Sequence, residues 1–154
     1  IAHCLKKPED IHNITVDYIL EVKNSAKKVS SEAHRMKGFL RFQELSDGTL
    51  YAPISPKHNI LPLIYKHFVN RLPHQIWVIH DTTRNSGVFY DGEEALIGNL
   101  KFKFPLEISP EEINYQNLWK SFFEKTSVEG RQNILLQKYK VPLFYRTHMT
   151  EFKK

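Results

Sequence analysis

The chain has 154 residues, 41% of them hydrophobic and 12% aromatic, which suits one compact domain and excludes a disordered or fibrous class. No apolar run approaches the ~20 residues of a membrane helix, and nothing at the start has the pattern of a signal or transit peptide. The formal net charge is +5, a sign that favours polyanionic partners over basic ones.

Cys4 is the only cysteine, which excludes an internal disulfide and a cysteine-rich zinc site, and makes a reducing, cytoplasmic setting the expectation. The opening Ile1-Ala2-His3-Cys4 has no methionine and reads as a start inside a longer chain.

The charge is unevenly placed. Lys23, Lys27, Lys28, Arg35, Lys37 and Arg41 stand against Glu32 alone in their stretch. Arg131, Lys138, Lys140, Arg146, Lys153 and Lys154 stand against Glu151 near the other end. Asp91, Glu93, Glu94, Glu107, Glu111 and Glu112 outnumber Lys101 and Lys103 in between. Basic ends around an acidic middle polarise the surface and point one side at phosphate polymers.

Residues 1–14 show no periodicity and read as a lead-in to one domain over 15–154. Val16, Ile19, Val22, Ala26, Val29 and Ala33 recur at spacings of three and four, which predicts a helix from Thr15, stopped at Gly38. Phe39–Leu45 and Leu50–Ile54 read as a hairpin around Ser46-Asp47-Gly48-Thr49. Pro53 predicts that the second strand ends early or lies at an edge.

A second helix is expected after Asn59 as its cap, with Pro62 in the first turn and Leu61, Ile64, Phe68, Val69 and Leu72 inward. Ile76-Trp77-Val78-Ile79 is apolar on both faces and predicts a central strand, with His80 to Gly87 as a polar turn. Val88-Phe89-Tyr90 returns, Asp91-Gly92 turns, and Ala95–Phe104 predicts a fifth strand.

Ser109-Pro110-Glu111-Glu112 opens a helix whose apolar face is Tyr115, Trp119, Phe122 and Phe123. Thr126-Ser127-Val128-Glu129 opens another through Tyr139, with Ile134 and Leu135 inward. Leu143–Phe152 reads as a short final turn or helix. The order α-ββ-α-βββ-αα predicts an α+β fold with a mainly antiparallel sheet of about five strands.

Four constellations carry chemistry. His34, Arg35, Lys37 and Arg41 cluster at a helix end and the following strand, where guanidinium forks and an ammonium suit phosphate. His80-Asp81, followed by Arg84, ends the central strand, a usual place for an acid–base pair. His58, His67 and Arg71 surround the second helix, without the spacing of a metal site, so no metal and no cofactor is expected. Arg131, Asn133 and the aromatic-flanked Arg146 suit phosphates and bases near the end. No phosphate-binding glycine loop, nucleophile elbow or dinucleotide fingerprint is present.

The stretches His34-Arg35-Met36-Lys37-Gly38-Phe39-Leu40-Arg41-Phe42, His58-Asn59-Ile60-Leu61-Pro62, His67-Phe68 with Arg71, Trp77 to Asp81 with Arg84, and Arg131-Gln132-Asn133 occur in this order. Together they resemble a bacterial family of unknown function labelled as DNA metabolism or DNA repair proteins, over roughly residues 23–152. The resemblance implies DNA as a partner, along with a radical-SAM protein assigned to DNA repair, or a uracil-DNA glycosylase domain fused to family members. Members carry a further N-terminal region, to which residues 1–14 would belong. The family supplies no established catalytic residue.

The leading expectation is therefore a DNA-associated accessory or binding domain contacting phosphates through Arg35, Lys37, Arg41, Arg71, Arg84, Arg131 and Arg146, with Asn133 at a base. One alternative is a nucleic-acid hydrolase or lyase using His80 and Asp81 with His34 or His58. Another is an interaction module that docks the radical-SAM partner through an exposed apolar patch.

Overall fold

The computed structural model describes residues 17–100, 106–126 and 133–153. Its elements are α1 (Asp17–Phe39), β1 (Gln43–Glu44), β2 (Leu50–Ile54), α2 (Leu61–Arg71), β3 (Trp77–Asp81), β4 (Ser86–Tyr90), β5 (Ala95–Asn99), α3 (Pro110–Lys125) and α4 (Ile134–Lys140). Two turns of 3-10 helix, Leu143–His148 and Thr150–Phe152, follow. The element order is the α-ββ-α-βββ-αα of an α+β domain.

The five strands lie in sequence order across one sheet. All neighbours are antiparallel except β2 and β3, which run parallel with Ala52 opposite Ile79. The α2 crossover makes that possible, because parallel neighbours cannot be joined by a hairpin. Glycines with positive φ turn the hairpins, Gly48 at 82° and Gly92 at 104°. β1 pairs only with Leu50 and Tyr51. From Ala52 onward that side of β2 carries no partner strand among the described residues, and Pro53, which has no N–H to donate, sits there.

The core forms where α1 and α2 cover one sheet face. Met36 from α1 and Leu40 just beyond its end, Ile64 and Phe68 from α2, and Trp77, Ile79 and Val88 from the sheet are all buried together. Phe42 joins them edge-on to Phe68 and Trp77. β3 is buried along its whole length, as expected of a central strand.

Several local expectations differ. β3 continues through His80 and Asp81, so these residues belong to the strand and the turn begins at Thr82. α1 runs past Gly38 to Phe39, and only two residues of the expected Phe39–Leu45 strand pair as β1. Arg41 explains the early turn: its guanidinium donates to the carbonyls of Gly38 (2.7 Å) and Leu40 (3.2 Å), closing the helix end.

In α2, Ile60 is the capping residue and Asn59 provides no cap. In α1, Val22 is 55% exposed and Ala26 is exposed, whereas Glu32 and Met36 are buried. The apolar stripe is therefore rotated toward the C-terminal half. α3 opens as expected, with the Ser109 hydroxyl accepting from the Glu112 N–H at 3.1 Å. No residue of α3 or α4 is buried, however, and Tyr115, Trp119, Phe122, Ile134 and Leu135 all face outward. The end of the expected fifth strand beyond Leu100 and the helix start at Thr126–Glu129 fall largely outside the described residues.

Candidate functional site

The most built-up polar cluster centres on Glu32, a residue only 1% exposed on the inner face of α1. Its carboxylate accepts four hydrogen bonds. The backbone N–H groups of Lys57 and His58 each donate at 2.9 Å, the Tyr145 hydroxyl donates at 2.6 Å, and His58 Nδ1 donates to the same group. Burial alone would push the Glu32 carboxyl up, but Tyr145, the Lys57 and His58 backbone and the His58 ring hold it below the usual carboxylate range. The Tyr145 hydroxyl is pushed up to about 12 by its burial and by the charge it faces.

The segment carrying Lys57 and His58 is clamped from its other side as well. Asp81, wholly buried at the end of β3, accepts from Arg84 Nη1 at 2.7 Å and from the Thr83 N–H at 3.0 Å. Arg84 then donates to the carbonyls of Pro56 (3.1 Å) and Lys57 (2.6 Å). Hydrogen bonds to charged groups contribute about 1.5–3 kcal/mol each, so the loop is held before any ligand arrives.

Above Glu32 opens a cleft of about 590 Å³, lined by Asn24, Lys27, Lys28, Ser31, Arg35, Lys57, His58, Pro142, Phe144 and Tyr145. Lys27, Lys28, Ser31 and Arg35 share one face of α1, as helical spacing dictates. Arg35 lies 5.8 Å from the Tyr145 ring centre and the Lys57 ammonium 5.7 Å from that of Phe144. Four cations thus surround a cleft whose carboxylate already has its lone pairs occupied. Such a site attracts phosphate.

The expected site residues are dispersed. His34 and Lys37 line a separate groove on α1 with Ala33 and Leu63, while Arg35 lines the cleft. Arg41 gives its remaining donors to Glu151, the nearer at 2.7 Å; burial would raise that carboxyl, but the Arg41 bonds and charge hold it low. Arg71 is exposed at the end of α2 and lines, with Arg41, a third groove beside Tyr115, Trp119 and Phe122. Asn133 caps α4, accepting from Leu136 at 2.8 Å. Arg146 donates to the Val141 carbonyl at 2.9 Å and stacks 4.2 Å from the Phe152 ring centre. Arg131 lies outside the described residues.

His80 is buried on the other face of β3, its Nδ1 2.7 Å from the Tyr51 hydroxyl. Burial pushes its pKa down, against the pull of Asp81. His34, His58 and His80 therefore do not surround one cleft. A further polar chain joins the carboxyl ends of β2 and β3: Ser55 Oγ is 2.8 Å from Thr82 Oγ1 and 2.7 Å from His148 Nε2. Burial, Lys153 and His80 hold His148 low. Among the described residues no group of three or more His, Cys, Asp and Glu is placed to hold a metal ion, and no helix is long and apolar enough to cross a membrane.

Glu32 and Lys57 were not among the residues that sequence pattern marked as a site, and Phe144 and Tyr145 entered only as the aromatic neighbours of Arg146. Glu32 did leave a trace: it falls three residues after Val29 and four before Met36, which puts an acid on the apolar face of α1.

Neither a curated protein nor a solved structure matches the chain. A family model matches residues 1–151, and its description is a domain of unknown function, DUF4130. With nearly its whole length matched, the chain belongs to that DUF4130 family.

Proposed function

We propose that this is a DNA-associated accessory or binding domain that holds the phosphate backbone in the cleft of Lys27, Lys28, Arg35 and Lys57. The observation that carries this reading is the charge balance of that cleft, where four cations face a single carboxylate already saturated by internal donors. A cleft so charged favours ligands with repeated negative charge and gives binding that falls steeply with salt. The resemblance of the His34–Phe42 stretch and its companions to proteins of DNA metabolism favours DNA among such polyanions. By the same resemblance, the pathway is bacterial DNA repair or base modification, and the single cysteine, Cys4, favours the cytoplasm as its setting.

Titration of dye-labelled DNA by fluorescence anisotropy tests the reading. The expected result is saturable binding at low salt that weakens strongly as salt approaches ~0.2 M. Absence of binding at low salt would overturn it.

A second reading is favoured by α3, whose Tyr115, Leu118, Trp119 and Phe122 are all exposed in one groove. An apolar face of this kind suits a protein partner, for which the resemblance supplies the radical-SAM protein or the uracil-DNA glycosylase domain. Co-purification of the tagged chain with that partner, lost on Trp119→Glu, is the expected outcome; retention of the complex would exclude α3 as the docking face.

A further inference from the structure

The cleft does more than neutralise phosphate, because one of its walls is aromatic. Phe144 is 46% exposed and lies against Tyr145 edge-on, with ring centres 5.3 Å apart and planes at 77°. Tyr145 is in turn fixed by its hydrogen bond to buried Glu32. The Phe144 ring is thus held from behind by a hydrogen-bonded partner. Pro142, at the start of the same 3-10 turn, extends the wall.

We infer that the cleft takes an unpaired nucleotide, stacking its base on Phe144 while Lys27, Lys28, Arg35 and Lys57 hold the flanking phosphates, so that the domain prefers single-stranded over duplex DNA. This inference rests on the DNA-binding reading above. Its argument is geometric. A base inside a duplex is stacked on both faces and presents neither to a side chain, whereas an unpaired base offers a whole π face. A volume of about 590 Å³ lies in the range of ~300–1,000 Å³ typical of sites for single small ligands. The Lys57 ammonium now resting 5.7 Å from the Phe144 ring centre turns to phosphate when a base takes its place. His58, anchored to Glu32 through Nδ1, keeps Nε2 as a polar group for the base or sugar.

The test is an anisotropy titration of one labelled oligonucleotide, as single strand and annealed to its complement, at a single low salt concentration. It is run on the full chain and on its Phe144→Ala and Phe144→Tyr variants, with thermal melts to confirm folding. The single strand is expected to bind at least tenfold more tightly than the duplex. Phe144→Ala should weaken single-strand binding by about tenfold while leaving duplex binding unchanged, and Phe144→Tyr should retain it. Equal affinity for the two forms, or equal losses for both in Phe144→Ala, would overturn the inference while leaving DNA binding intact. Binding to neither form would instead overturn the DNA-binding reading, and this inference with it.

Discussion

Glu32 shows how a single buried carboxylate can organise a cleft with all its acceptor capacity taken up inside the protein. Its four donors come from the α2 approach loop and from Tyr145, which lies 113 positions away in the chain. Glu32→Gln replaces an acceptor with an amide that cannot satisfy four donors, and is expected to lower unfolding free energy by about 2–4 kcal/mol in urea titrations. Asp81→Asn should cost a similar amount, about 3 kcal/mol, since it leaves Arg84 half-buried without its charge partner.

The pH dependence follows from the same groups. The Glu32 and Glu151 carboxyls titrate lower when folded than the usual 4.5. The unfolded chain binds those protons more tightly, so their stabilisation is complete above that value and is lost as pH falls through the folded one. His80 and His148 also titrate below their usual 6.5, so they too favour the folded state as neutral imidazoles and weaken it once pH drops below 6.5. All four groups act with one sign. Urea unfolding should show stability declining from about pH 6.5 downward, with a steeper loss below about pH 4.5; constant stability down to pH 4 would contradict the assignment.

At the level of elements, what the sequence makes readable is what local chemistry decides. The Asp47-Gly48 and Asp91-Gly92 turns, the Leu50–Ile54 strand and the Ser109 cap need only their own neighbours, and they stand where the pattern placed them. Ser109→Ala should therefore cost about 1 kcal/mol in chemical denaturation. Gly87 is another kind of local requirement. A Cβ there would meet the Ile79 carbonyl oxygen at 2.5 Å and the Leu100 side chain as well, so Gly87→Ala should cost about 1–3 kcal/mol.

The candidate site was harder to read because its parts are tertiary. Arg41 looks like a ligand-facing cation in sequence, yet a helix end and Glu151, 110 positions away, take its donors. Arg84 likewise serves the loop at Pro56 and Lys57. Of the residues the pattern assigned to a site, Arg35 and His58 reach the cleft; Lys27 and Lys28 join them from the basic stretch that the charge distribution singled out, and Lys57 from a loop that it did not. Exposure on α3 and α4 was equally hidden, since helical periodicity reports an apolar face without reporting what covers it.

Over the whole molecule, charge and packing are divided between two sides of α1. One side buries Ile19, Ala33 and Met36, while Lys27, Lys28 and Arg35 look out over the cleft that Lys57 closes from the other side. The core needs none of these four cations, so removing them should change binding without changing the fold. The decisive measurement compares the salt dependence of DNA affinity for the unaltered chain, for Lys27→Ala/Lys28→Ala/Lys57→Ala, and for Lys66→Ala on the exposed side of α2 as a control. The account predicts weaker binding in the triple variant and a log–log salt slope shallower by about one for each cation removed that meets a phosphate, with the control unchanged. A triple variant that keeps both the affinity and the slope of the unaltered chain would contradict it.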